Sequence, residues 1–277
     1  MRRLNKENIL KTLRQNIADG HAVIACAAGN GLIARLEEKS GADLIVVYNS
    51  GQYRMNGIAS IAGNLPIGDA NQIVKDMGKN QILNMVNHTP VVAGIYGVDP
   101  TRNMSGFLEE LAEIGYSGVI NFPTIGKLSG SIRQELEQVG LGFMKEVESL
   151  RTAAKLGFFT MAYCYNPEEA RILAEADVDI IVSHVGLTAG GDVGVKKANP
   201  LEVAIEKTQE ILSAAKAVKP DIIPVCHGGP IVTPEDVGKV MASTCAVGFV
   251  AASSIERLPV ETAVTYTVEQ LKKLPLH

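Results

Sequence analysis

Two histidines end apolar runs, His184 after DIIVS and His227 after DIIPVC. Imidazole titrates near neutrality, so each ring can act as general acid or base, or as a neutral hydrogen-bond donor. The bland alternative is a polar ring satisfied by loop backbone. If the two runs are neighbouring strands, the rings stand about 5 Å apart in the sheet direction and reach one substrate. His21 precedes the first apolar run, and His88 and His277 sit at a helix end and at the terminus, with no visible chemistry.

Other residues offer complementary chemistry. YNSGQYRMNG carries Tyr48, Asn49, Ser50, Gly51, Arg54 and Asn56. The planar fork of Arg54 can clamp a carboxylate while Ser50 and Gly51 present backbone donors; a solvated loop arginine competes with that reading. Tyr96 in IYG, with Asn121 and Pro123 in NFPT, would line the same mouth as a hydrogen-bonding wall. HGGP sets Gly228 and Gly229 after His227, and GFVAASSIERLP runs from Gly248 through Ser253 and Ser254. Glycines let backbone N–H groups approach an anion, and a serine-started helix favours negative charge, so these residues are expected to bind phosphate or a second carboxylate. A tight turn with an ordinary serine cap is the alternative.

No H-x-H or H-E-x-x-H pattern occurs, and Asp99 is the acid near the end of the third apolar run. One carboxylate can hold Mg2+ together with water and substrate oxygens, which makes Asp99 the expected first ligand; otherwise Asp99-Pro100 is a plain turn. Imine chemistry needs a desolvated lysine projecting into the site. No apolar run contains one, and Lys127, Lys196 and Lys197 lie in loops, so that chemistry is disfavoured.

These residues need elements to position them. Eight short Val/Ile-rich runs recur, at 22–26, 43–48, 91–96, 118–122, 158–163, 179–184, 221–226 and 246–250. Between them, 31–38, 107–114, 167–175, 201–218 and 234–241 repeat apolar residues at helical spacing, and Pro opens several first turns. Runs such as DIIVSH are apolar on both faces, as parallel strands covered on each side must be. The pattern predicts an α/β fold, a (β/α)8 TIM barrel in a single domain over 1–277, with its site at the C-terminal ends of the strands. A doubly wound sheet is the competitor, but AAGNGL lacks the third glycine of its fingerprint. Two connections from that face are long, 49–69 and 185–199, and long loops in compact domains tend to be functional.

Composition narrows the partners. Of 277 residues, 26 are Lys or Arg and 30 are Asp or Glu, a net charge of −4 with no basic stripe, so nucleic acid is not an expected partner. The polar start, Met1 to Asn8, and the lack of an apolar stretch of about 18 residues predict no membrane association and a cytoplasmic location. Cys26, Cys164, Cys226 and Cys245 form no C-x-x-C pair and read as reduced, mostly core thiols. A barrel of this size is also expected to self-associate as a symmetric homo-oligomer.

YNSGQYRMNG, GVDP, INFPT, SHVGLTAGG, HGGP and AASSIERLP, in this order at the strand ends, resemble the phosphoenolpyruvate hydrolase-like TIM-barrel family across nearly the whole chain. That family also supplies the C-terminal barrel of larger plant and fungal proteins, among them tobamovirus-resistance proteins. The resemblance implies kinship with the phosphoenolpyruvate mutase and isocitrate lyase group, which acts on small 2-oxo acids, often with Mg2+. The mutase pattern has Asp-x-Asp at the third strand, where GIYGVDP keeps no such pair; NSG matches the group's oxo-acid loop better and supports Ser50 and Gly51 as carboxylate contacts.

Two functions follow as expectations. The first is a hydrolase or lyase on a small anionic 2-oxo acid or enol phosphate, passing through an enolate. Asp99, His184 and His227 would be catalytic, and Tyr48, Asn49, Ser50, Gly51, Arg54, Tyr96, Asn121 and Pro123 would bind substrate. Gly228, Gly229, Gly248, Ser253 and Ser254 would hold the phosphate or second carboxylate. The second is a non-catalytic barrel that senses such a metabolite.

Overall fold

Alternation within the apolar runs decides which side chains enter the barrel. In the computed structural model, which describes residues 3–276, all eight runs are strands: β1 (Val23–Ala27), β2 (Leu44–Val47), β3 (Val91–Ile95), β4 (Gly118–Asn121), β5 (Phe159–Cys164), β6 (Ile180–His184), β7 (Ile223–His227) and β8 (Gly248–Ala251). They pair in parallel and in chain order, and β1 against β8 closes the ring. Every second residue, such as Leu44 and Val46, Phe159 and Met161, Ile180 and Val182, or Ile223 and Val225, joins one buried cluster. The intervening Ile45, Val47, Ala162, Cys164, Ile181 and Cys226 join another, packed under the helices. The first set fills the barrel and the second its outer wall, as strand alternation requires.

The same alternation continued by one step sets the rim. Tyr48 follows Leu44 and Val46, Tyr163 follows Phe159 and Met161, His184 follows Ile180 and Val182, and His227 follows Ile223 and Val225, so all four turn inward above the filled interior. The opposite end is plugged by helix Lys6–Ala18, whose Ile9 and Leu13 enter the interior cluster. Its side chains tie to residues that precede strands, Lys6 to Asp179 at 2.9 Å and Asn16 to Asp43 at 2.7 Å.

The five helices read from periodicity are Gly31–Lys39, Met104–Ile114, Pro167–Glu175, Leu201–Val218 and Pro234–Ser243. Asn30, Asn103, Asn166 and Thr233 cap four of them, the last in a reciprocal pair with Asp236. One connection differs from expectation. Residues 49–69 include helix Asn49–Met55 and a 3-10 turn, Ser60–Asn64. NSGQYRM has no Pro or β-branched residue to oppose a helix, and Gly51 lets that helix lie against Gly29, where an added Cβ would come 2.9 Å from the Gly29 Cα. Residues 185–199 contain only an isolated bridge between Ala189 and Val195.

Cys26, Cys164 and Cys226 are buried and all four thiols are free. Among the described residues no helix is long and apolar enough to cross a membrane. His277 lies outside the described residues, while His21 and His88 are exposed at the surface.

Candidate active site

β6 and β7 hold the two histidines in register, His184 opposite His227, with ring centroids 4.7 Å apart. Both are buried. Their hydrogen-bond partners set opposite tautomers. The Nδ1 of His227 lies 2.7 Å from the carbonyl oxygen of Val250, which can only accept, so Nδ1 carries the proton and Nε2 keeps a lone pair. The Nδ1 of His184 accepts the Gly186 N–H at 3.2 Å, so in the neutral ring Nε2 carries the proton. Burial, the leading cause, pushes His227 down to about 4 and His184 well below its ordinary value, with His227 and Lys127 adding to the latter. Two neutral imidazoles thus stand together, one offering a lone pair and the other an N–H.

Around them is an inner cavity lined by Tyr48, Phe122, Lys127, Tyr163, Leu187 and Thr188, together with Ser50, Arg54, Ser60 and Ser253. Tyr163 lies 5.2 Å from His184 and 5.1 Å from His227 between ring centroids, and its hydroxyl is 2.7 Å from that of Tyr48. Tyr165 stacks on His184 from the other direction at 4.7 Å. The aromatic packing excludes water and accounts for the depressed basicity of both histidines.

Arg54 is not the solvated loop arginine of the alternative reading. Its Nε donates to Glu256, and its Nη1 donates to the hydroxyls of Ser50 at 2.9 Å and Ser60 at 3.4 Å. Both ion-pair partners are sealed from solvent, with 2% and 0% side-chain exposure, so the guanidinium is fixed in place rather than free to swing onto a ligand. Nη2 is buried without a partner, which leaves one charged donor unsatisfied on a guanidinium that, with Ser50, Ser60 and Ser253, lines the cavity. A carboxylate would satisfy it.

Lys127 departs from the expectation that a loop lysine could only swing in. It ends a short 3-10 turn, Ile125–Lys127, directly after β4. The buried carboxylate of Glu146 pins that turn, accepting from the Ile125 N–H, from Thr124 Oγ1 at 2.8 Å and from Asn121 Nδ2 at 3.0 Å. Lys127 therefore belongs to the cavity wall, and burial lowers its ammonium to about 8.

Other predicted site residues fall elsewhere. Asn121 is consumed as a brace: its Oδ1 accepts the Tyr163 N–H at 2.7 Å, and its Nδ2 donates to the Tyr163 carbonyl and to Glu146. Asn49 donates to the Gly63 carbonyl at 3.0 Å, and Gly51 is engaged in helix packing against Gly29. Gly248 begins β8, about 10 Å down the strand from the rim, where a Cβ would meet the Val23 carbonyl at 2.1 Å. It serves strand packing and cannot touch an anion at the mouth. Gly228 and Gly229, with φ of +84° and +60°, form a tight turn, and the Gly229 N–H is taken by the Gly186 carbonyl at 2.8 Å. Ser253 lines the inner cavity, whereas Ser254 lies on an outer groove with Leu258 and Thr262.

Asp99, Tyr96 and Pro123 line a second, outer cavity at the same rim, next to Leu65, Ile125, Leu128, Ile132 and Leu136. Of the expected catalytic residues His184 and His227 share one space, together with Tyr48; Asp99 does not. The Asp99 carboxylate accepts from Thr101 through N–H at 2.9 Å and hydroxyl at 2.6 Å, and from Asn71 and Arg102, each at 3.2 Å. These bonds outweigh desolvation and hold it below the usual carboxylate range. An oxygen set already bonded to a guanidinium does not fit Mg2+, and among the described residues no three His, Cys, Asp or Glu side chains gather around it or elsewhere.

Sequence reasoning passed over Tyr163, Ser60 and Glu256 and discounted Lys127. Tyr163 was findable, since it continues the inward series of Phe159 and Met161. Glu256 carried a weaker signal, an Arg-flanked acid in the segment ASSIERLP.

Residues 8–274 match the model of a family described as phosphoenolpyruvate hydrolase-like. The ToMV susceptible protein tm-1(GCR26) of Solanum lycopersicum is 46% identical over 269 residues, covering 97% of this chain and 36% of the tomato protein. The putative transcriptional regulatory protein y4pA of Sinorhizobium fredii is 34% identical over 270 residues, 97% of this chain and 44% of its own length. The chain thus spans less than half of each of these relatives. Among solved structures, a phosphonopyruvate hydrolase in complex with oxalate and Mg++ superposes with a TM-score of 0.62 at 19% identity, covering 96% of this chain and 87% of the other, a likeness of fold. By its sequence over almost its full length, the chain belongs to the phosphoenolpyruvate hydrolase-like family.

Proposed function

We propose that this barrel is an enzyme that acts on a small anionic 2-oxo acid or enol phosphate and breaks a carbon–carbon, carbon–phosphorus or phosphoester bond through an enolate-like intermediate. The observation that carries this reading is the pair of neutral histidines with opposite tautomers on one wall of the inner cavity. His227 Nε2 would take or return the proton. His184 Nε2–H would donate to the oxygen on which charge develops, in surroundings where such a bond is stronger than in water. Arg54 Nη2 with Ser50, Ser60 and Ser253 would hold the carboxylate. The inner cavity is narrow, about 30 Å3 against about 550 Å3 for the outer one, which restricts it to a small ligand.

Similarity of fold to a phosphonopyruvate hydrolase supports the substrate class. The Mg++ of that complex supports a metal only by analogy; the chemistry proposed here is assigned to the side chains of the inner cavity. Asp99 is withdrawn from the catalytic set because it faces the other cavity.

A second reading, a metabolite-binding module without turnover, is favoured by one observation: two relatives named as a virus-susceptibility protein and a transcriptional regulator contain this barrel as less than half their length. One experiment separates the two. The chain is incubated with phosphonopyruvate, phosphoenolpyruvate and oxaloacetate, products are followed by phosphorus and proton NMR, and binding is measured by calorimetry. Consumption of one acid supports the enzyme. Saturable binding with no consumption overturns it in favour of the module.

A further inference from the structure

We propose that Lys127 forms an imine with the ketone of a 2-oxo acid bound in the inner cavity, so that the substrate is a keto acid rather than an enol phosphate. This inference rests on the functional reading above and narrows it.

Position comes first. Lys127 lines the same cavity as His184, His227 and Tyr163, carried by a turn that Glu146 fastens with three hydrogen bonds, so its backbone is set by the fold. Environment comes second. Among the described residues no carboxylate lines this cavity, and Lys127 makes no ion pair or hydrogen bond, although Arg54, Lys75, Arg102, Arg133 and Arg257 all have acidic partners. An ammonium without a counter-ion beside Phe122, Tyr163 and Leu187 is disfavoured relative to the amine, and its lowering to about 8 agrees with that. The third argument is chemical. Breaking a bond beside a carbonyl needs an electron sink, and a protonated imine on Lys127 is one that a side chain lining this cavity can itself form.

The step balances without an external oxidant or reductant. The Lys127 ammonium first gives one proton to His227 Nε2, and the freed Nζ lone pair adds to the ketone carbon while His184 Nε2–H donates a hydrogen bond to the oxygen on which charge develops. One of the two protons left on nitrogen passes to that oxygen, giving a neutral carbinolamine. His227 Nε2–H then protonates the hydroxyl, water leaves, and the nitrogen lone pair closes a C=N that keeps the last proton, with both histidines neutral again. In a keto acid such as oxaloacetate the distal carboxylate then leaves the adjacent carbon as CO2, and the electron pair of that C–C bond moves toward C=N to give an enamine. Protonation of that carbon and addition of water restore ketone and amine.

The test is reductive trapping. The full chain is incubated with pyruvate, 2-oxobutyrate or oxaloacetate in the presence of borohydride and analysed by intact mass and peptide mapping, with calorimetry on parallel samples. The expected result is one added mass equal to the acid less one oxygen atom, confined to the peptide containing Lys127. In Lys127→Arg and Lys127→Met, label falls to the level of unreacted control while the circular dichroism spectrum is retained. Trapping should rise with pH toward the amine's range near 8. Saturable binding without label on Lys127, or label that survives Lys127→Arg, overturns the imine and leaves the functional reading standing. Failure of all three keto acids to bind overturns the imine, and the functional reading falls with it only if phosphonopyruvate and phosphoenolpyruvate also fail to bind.

Discussion

The inner and outer cavities open on the same rim, yet burial has acted on their ionisable groups in opposite ways. In the inner one, His184 and His227 are driven to the neutral form, and Lys127 is pushed toward it, by desolvation. In the outer one, Asp99 is driven further toward its charged form by four hydrogen bonds. A group destabilised in its resting charge state can exchange protons or bonds with a substrate; one whose charge is already satisfied gains little by doing so. The proposed chemistry therefore belongs to the inner cavity, and the outer cavity is the larger and more apolar of the two.

The most damaging way to break this contrast is to open the sealed ion pair beside the inner cavity. Arg54→Leu leaves Glu256 buried and uncompensated, which typically costs about 3–5 kcal/mol. Urea denaturation should show the loss, and Arg54→Leu combined with Glu256→Leu should recover part of it. Equal destabilisation by the single and the double substitution would mean that pairing is not what holds the site.

Next in size is His227. Given a substrate that the chain consumes, His227→Ala lowers turnover by about 10² or more if the ring moves a proton. The acid limb of the pH profile should then lie near 4, far below the range of an ordinary histidine, because protonation of Nε2 removes the base. An acid limb at ordinary histidine values would contradict the burial argument. Unfolded His227 protonates at about 6.5, so its contribution to stability is intact above that value and is lost as pH falls toward 4.

How much of this was readable in advance depends on the distance over which each interaction acts. The strands and capped helices follow from local periodicity and from Asn30, Asn166 and Thr233 at helix starts, and the inward turn of His184 and His227 follows from counting by two along DIIVSH and DIIPVCH. Contacts across the barrel mouth left no such trace. Arg54 meets Glu256 across 202 positions, Tyr48 meets Tyr163 across 115, and Glu146 fixes the Lys127 turn from another helix. Asp99 was misplaced for a related reason. Its chain position near the end of β3 puts it at the rim, but Asn71 and Arg102 bind its carboxylate in the outer cavity.

Glu37 sharpens the contrast with Asp99, since the two are acids of opposite fate. Glu37 is buried behind the inner cavity with neither carboxylate oxygen partnered, and burial first, then Glu256, raises it to about 9. The folded state thus holds a proton that the unfolded chain has released above about 4.5, and stability falls as pH rises through this window. Glu37→Gln removes that dependence. The stability difference between variant and parent should shift in the variant's favour by roughly 1 kcal/mol per pH unit between pH 5 and 8, read from urea midpoints. A difference that is flat with pH would show that Glu37 is ionised in the fold.

The smallest effect is expected at Asp99, and it tests the same division from the other side. Its bonds to Thr101 close a local turn, and its pair with Arg102 is partly exposed, with side-chain exposures of 21% for the arginine and 12% for the acid. Asp99→Asn keeps an acceptor for Thr101 and loses only the ionic component of the Arg102 contact, a change of about 1 kcal/mol or less in stability. Turnover should be unchanged, and chelation with EDTA should leave it unchanged as well, because neither the proposed proton transfers nor the imine passes through the outer cavity. A loss of turnover in Asp99→Asn comparable to that in His227→Ala, or its abolition by EDTA, would join the two cavities into one catalytic unit. The keto acid would then have to reach from Lys127 to Asp99, past the Phe122 and Pro123 segment that stands between the two linings.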